Sequence, residues 1–160
     1  MAGELPRVTP EARVATAQDE PFLASLIAAT VAEELGAAAW PEQLRSQLLG
    51  MQVQLRRQAA GITEPMGSEI LMWKDAPVGW RLIVVLPNLL KLVEIMVAPG
   101  ERGKGIGSAA ILQVVDRARS MGLPVVLNVN RTNTRAIALY ERLGFAVLET
   151  NEVQHTMLCR

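Results

Sequence analysis

Arg102-Gly103-Lys104-Gly105-Ile106-Gly107 follows the apolar run LLKLVEIMV (Leu89 to Val97) and opens IGSAAILQVVDRARSM (Ile106 to Met121). The first run reads as a strand. The second reads as a helix, because Ile106, Ala110, Val114 and Ala118 share one face, with Gln113, Asp116, Arg117 and Ser120 opposite. A Gly-rich turn between them frees backbone N–H groups at the positive end of a helix dipole. That is an anion cradle suited to phosphate, and Arg102 and Lys104 add two charges beside it.

The common phosphate loops do not fit this spacing. In a Walker loop the glycine ahead of Gly103 would stand at Ala98, and Gly105 occupies the Ser/Thr position. A dinucleotide fingerprint needs G-x-G-x-x-G, whereas Gly103, Gly105 and Gly107 are followed by Ser108. A second block lies downstream. Gly122 suits a left-handed C-cap, and Pro124 precedes the strand-like VVLNVN (Val125 to Asn130). Then NTRAIALYERLGF supplies Asn133, Ala136, Leu139, Tyr140, Gly144 and Phe145.

Arg-x-x-Gly-x-Gly followed by N-x-x-A-x-x-L-Y-x-x-x-G-F resembles the two cofactor-contacting elements of the GCN5-related N-acetyltransferases, the GNAT superfamily. The resemblance covers Glu69 to Arg160 in detail and Arg13 to Ala60 in outline. It implies acetyl-CoA held where the strands Leu89 to Val97 and Val125 to Asn130 splay apart. The pantetheine arm would pair with backbone around Met96 and Val97. The pyrophosphate would rest on N–H groups of Arg102, Gly103, Lys104, Gly105, Ile106, Gly107 and Ser108, with Asn133, Ala136 and Tyr140 also near the cofactor. A strand N–H would polarise the thioester carbonyl.

The rest of the chain agrees with one α/β (α+β) unit. Asp19 is placed to cap a helix, with Pro21 in its first turn and Leu23, Leu26, Ile27, Thr30 and Val31 at helical spacing up to Gly36. Pro41 opens a second helix, with Leu44, Leu48, Met51 and Leu55 on one stripe, closed by Gly61. EILMW, the turn KDAP and VGWRLIVV lead through Leu86 to Asn88 into the strand at Leu89, an antiparallel meander. The expected order is β-α-α-β-β-β-α-β-α-β-β, a central mixed, mostly antiparallel sheet flanked by helices. A short strand is expected at Val14 to Thr16. Residues 1–12 read as a flexible tail and 13–160 as a single domain.

Composition narrows the function. With 160 residues, half of them apolar, the chain can bury a core. Sixteen basic and sixteen acidic residues balance, which argues against nucleic-acid binding. The single Cys159 excludes an internal disulfide framework, and a reducing cytoplasm is the natural reading. There is no apolar stretch of ~18 residues, so no membrane partner is expected. No His, Cys or carboxylate pair has metal spacing, and no metal is expected. His155 reads as a strand-surface residue, and Trp40, Trp73 and Trp80 as core or pocket wall.

Two residues are candidates for chemistry. The resemblance puts Tyr140, the sole tyrosine, near the coenzyme sulfur, where its O–H would protonate the departing thiolate. The alternative is packing beside Ile137 and Leu143. Strict alternation puts Leu90, Leu92, Glu94 and Met96 on one face of their strand, leaving Glu94 among apolar neighbours. Half-burial would raise its pKa toward that of a general base. The alternative is a structural carboxylate, bonded to a backbone N–H or to Arg81. The implied reaction is acetyl transfer to a primary amine of a small molecule or peptide, by direct attack in a ternary complex. A non-catalytic acyl-CoA module, transfer of a longer acyl group and a homodimer stay open. The resemblance implies that the segment holding Glu33, Glu34, Gly36 and Trp40 walls the acceptor site; the alternative is that they are a solvated helix end and a core contact.

Overall fold

The computed structural model describes residues 8–36, 39–44, 47, 51 and 67–160. Its strands are β1 (Glu11–Val14), β2 (Ser68–Trp73), β3 (Ala76–Val85), β4 (Leu90–Val97), β5 (Val125–Asn130), β6 (Ala146–Thr150) and β7 (Gln154–Cys159). The helices are α1 (Glu20–Glu34), α2 (Ile106–Ser120) and α3 (Thr134–Arg142). Most of the expected helix from Pro41 to Gly61 lies outside the described residues. Those parts of it that are described, 42–44, 47 and 51, are helical.

The strands form one seven-stranded sheet in the order β1-β2-β3-β4-β5-β7-β6. Every pairing is antiparallel except β4 with β5. The mixed, mostly antiparallel sheet is therefore as expected. Placing β7 between β5 and β6 is a long-range choice that no local pattern announces.

Helices cover both faces. Leu23, Leu26, Ile27 and Val31 of α1 pack on Ile70, Trp80, Leu82 and Met96. On the other face, Ile111, Val114, Val115 and Ala118 of α2 pack on Ile83, Leu90, Leu92, Val125, Leu127 and Met157, with α3 laid against them. Ile106 and Ala110 meet Leu71 and Val78. The α2 stripe read from sequence is thus the buried one. Trp80 is a core residue whose indole donates to Ser68 Oγ at 2.7 Å.

Two readings of the N-terminal region change. Of the expected tail, residues 1–7 lie outside the described residues, and 8–12 are tied down. Pro10 is buried and its carbonyl accepts from Gln113 Nε2 at 2.7 Å. Strand β1 starts at Glu11, earlier than Val14, and pairs with β2 from Glu11–Met72 to Val14–Glu69. All four of its residues are exposed. It is held by its backbone ladder and carries no apolar alternation to read. Asp19 precedes α1 as expected, but its carboxylate turns back. It accepts from Arg13 at 2.7 and 2.8 Å and from the Thr16 N–H at 2.8 Å. Arg13 holds the carboxyl well below the usual carboxylate range.

The third change concerns β4. Its register against β3 shifts between Leu82–Glu94 and Ile83–Leu92, so Val93 is an extra residue, a β-bulge. Leu90 and Leu92 pack toward α2. Glu94 and Met96 stand opposite Leu82 and Trp80, which pack toward α1. The four residues do not share a face, because one inserted residue reverses the alternation. The bulge also separates Glu94 from Arg81, whose guanidinium lies on the α2 side.

Candidate active site

Strands β4 and β5 pair only at Leu90–Val125, Lys91–Val126 and Leu92–Leu127. Beyond that they diverge, and the gap is the floor of a cleft of about 730 Å3. Its walls come from β4, the loop from Glu101 to Gly105, the first turn of α2, β5 and α3, with Thr30 and Glu34 of α1 at one side.

The loop is built to leave donors open. Gly103 has φ +76° and Gly105 +84°, a region costly for other residues. Among the described residues, the first bond of α2 runs from Ala109 N–H to the Gly105 carbonyl at 3.0 Å. The N–H groups of Ile106, Gly107 and Ser108 precede it, and all three residues line the cleft. This is the chemistry a diphosphate needs: several N–H donors at a helix start, with no carboxylate in the first turn.

The β4 backbone sorts its groups by alternation. Ala98 N–H donates to the Val78 carbonyl at 2.8 Å, so the next hydrogen-bonded pair is Met96 with Trp80. Met96 lines the cleft, but its backbone is engaged by β3. The groups turned toward the gap belong to Ile95 and Val97. Gly79 permits this close approach of strands, since a Cβ there would lie 2.5 Å from the Met96 carbonyl oxygen.

On α3, the Asn133 side chain accepts from Ala136 N–H at 3.1 Å and caps the helix beside the cleft. Ala136, Leu139 and Tyr140 continue that wall. Tyr140 packs on Phe145, ring centroids 5.9 Å apart and tilted by 59°. Burial raises its phenol above the ordinary value, and the Glu94 carboxylate adds to the shift. The phenol therefore keeps its proton across the neutral range. Glu94 lines the same cleft, so both candidates for chemistry meet in one place.

Lys104 is the exception among the expected contacts. It stands outside the lining and its ammonium meets Glu101 at 2.8 Å. Arg102 lines the cleft, with Nε donating to the Val97 carbonyl at 3.0 Å and Nη1 to Glu33 of α1.

The acetyltransferase (GNAT) family profile matches residues 33–145, the stretch that carries the splayed strands, the loop and α3. The chain belongs to the GNAT acetyltransferase family. Its GNAT fold is shared with PaiA N-acetyltransferase from Thermoplasma acidophilum, solved with coenzyme A: TM-score 0.73, 16% identity, 95% of this chain and 99% of that one. Naa50 from Arabidopsis thaliana, solved with a CoA-peptide bisubstrate analogue, superposes with TM-score 0.66 at 16% identity, covering 96% and 99%. Streptothricin acetyltransferase from Streptomyces lavendulae is 45% identical over 36% of this chain and 31% of its own length. Peptidyl-lysine N-acetyltransferase YjaB from Salmonella typhimurium is 31% identical over 50% of each chain. The chain spans half or less of the length of these curated relatives.

Reading the GNAT motifs alone misses several features in and beside the cleft, three of them instructive. Ile95 was hidden by the bulge. Thr30 sits on the buried stripe of α1, and only its place near the helix end sets it at the cleft. The Arg102–Glu33 contact joins residues far apart in sequence, for which the sequence carries no local sign.

Proposed function

We propose that the protein transfers an acetyl group from acetyl-CoA to a primary amine by direct attack in a ternary complex. The observation that carries this is the combination of splayed strands with open first-turn N–H groups at one end of the gap. The N–H groups from Gly103 to Ser108, with Arg102, hold the diphosphate. The backbone of Ile95 and Val97 pairs with the pantetheine arm. Asn133 and Ala136 form the wall on the α3 side. Glu94 takes a proton from the bound ammonium, directly or through water, to free the neutral amine that attacks, and Tyr140 gives one to the leaving thiolate. Holding both reactants face to face supplies much of the acceleration. The acceptor is a small-molecule or peptide amine; relatives are named for streptothricin, mycothiol and peptidyl-lysine.

CoA is expected to raise the melting temperature, with ~2.7 kcal/mol of stabilisation at a hundredfold excess over Kd. Gly105→Glu should remove most of it. The open space at Gly105 tolerates a Cβ sterically, but φ +84° strains a side chain and the carboxylate repels phosphate. Undiminished CoA binding by that variant rejects the loop as the phosphate site. An amine panel assayed for CoA release tests the chemistry; CoA binding with no turnover on any amine leaves an acyl-CoA-binding module.

Glu94→Gln is expected to lower turnover and remove the acid limb of the pH profile, leaving CoA affinity nearly intact. A variant with normal turnover and a lower melting temperature makes Glu94 structural.

A further inference from the structure

We propose that Arg102 plugs its own cleft and is withdrawn by the phosphate end of the ligand that the cleft then accepts. The inference rests on the reading of the cleft as a CoA site. The backbone of Arg102 begins the loop, beside the open N–H groups of α2. Its side chain does not point along the loop. It doubles back, and Nε donates to the Val97 carbonyl at 3.0 Å. That carbonyl is one of the β4 groups turned toward the gap, where an amide-bearing arm would pair. Nη1 meets the Glu33 carboxylate at the end of α1. One side chain thus occupies a strand acceptor and ties α1 to the loop.

Both holds are weak enough to be exchanged. The Arg102 side chain is 35% exposed and that of Glu33 is 50% exposed, so the pair is screened by solvent. A diphosphate competes for the same guanidinium with several charged oxygens in fork geometry. The last turn of α1 carries no basic residue, so Arg102 is a cation brought to that negative helix end from outside. Phosphate capture and vacating of the Val97 carbonyl are then one movement. A ligand with the arm but no phosphate meets the plug in place.

The test is NMR titration, which follows millimolar binding, with CoA and with pantetheine, on wild type, Arg102→Ala and Glu33→Gln. Arg102→Ala should bind CoA more weakly, having lost a phosphate contact, and pantetheine more tightly, having lost the plug. Glu33→Gln keeps the phosphate contact and loosens the plug. It should bind both probes more tightly, by up to about fivefold, the worth of one exposed ion pair. Opposite signs for the two probes in Arg102→Ala are what a mere phosphate contact cannot produce. Pantetheine affinity that is the same in all three proteins, including none at all, overturns the plug. Failure of CoA itself to bind wild type is a separate result, and rejects the reading of the cleft.

Discussion

Replacing Tyr140 with Phe is expected to slow acetyl transfer by roughly 10²–10⁴-fold, the usual span for a positioned acid, while leaving acetyl-CoA binding intact. Only one oxygen is lost, and the ring keeps its contact with Phe145. Burial, aided by the Glu94 carboxylate, raises the phenol above 10.0. The group is thus protonated at neutral pH and can donate to a thiolate. The sign follows for pH. Turnover limited by this acid falls only as pH rises through the raised value, so its basic limb lies above 10.0. The checks are steady-state kinetics with any accepted amine and a binding titration on the same protein. Wild-type turnover in Tyr140→Phe, or a basic limb unchanged by it, rejects the acid role. Lost acetyl-CoA binding without a separate effect on chemistry reassigns Tyr140 to positioning.

Arg81→Ala is expected to cost about 3–5 kcal/mol of stability, because it breaks a buried ion pair from one side. Arg81 is 5% exposed. Its Nε donates to Glu69 at 2.7 Å, and Nη1 to the Ala110 carbonyl at 2.7 Å and Gln113 Oε1 at 3.1 Å. It therefore pins α2, whose first turn is the cradle, to the centre of the sheet. Glu69 keeps Arg117 at 3.1 Å, which places the loss toward the lower end of the range. Arg81→Met with Glu69→Leu removes both charges and should recover most of the loss, as apolar replacement of a whole buried pair does. Denaturant unfolding measures both. A single variant within about 1 kcal/mol of wild type, the worth of an exposed pair, shows that Arg81 is not a structural anchor.

What the sequence made legible is local. The α2 stripe, the Gly-rich turn before it, the left-handed Gly122 and the limits of β5 each depend on residues within a turn or two. The motifs add Tyr140 and the loop because their spacing fixes their place on α2 and α3. What was not legible depends on distant partners. The bulge at Val93 exists only relative to β3, and it moves Glu94 to the other face from Leu92. Pro10 is ordered by Gln113, and Arg102 is turned by Glu33, each across a long loop closure. Arg81 reads from the sequence only as an alternative partner for Glu94, and its true partners, Glu69 and Ala110, are brought beside it by the fold.

The three rungs joining β4 to β5 act as a joint between two half-sheets. From Leu92 to Val97 the strand runs on for five residues at ~3.3 Å each, a lever of roughly 16 Å. A rotation of about 10° at the joint displaces the far end by roughly 3 Å. The gape of the cleft is therefore set by the side chains that wedge the joint, Leu90, Leu92, Val125 and Leu127, all buried. Leu90, Val125 and Leu127 stand outside the lining, so trimming or enlarging one of them is expected to reset the gape from the core without altering a side chain that lines the cleft.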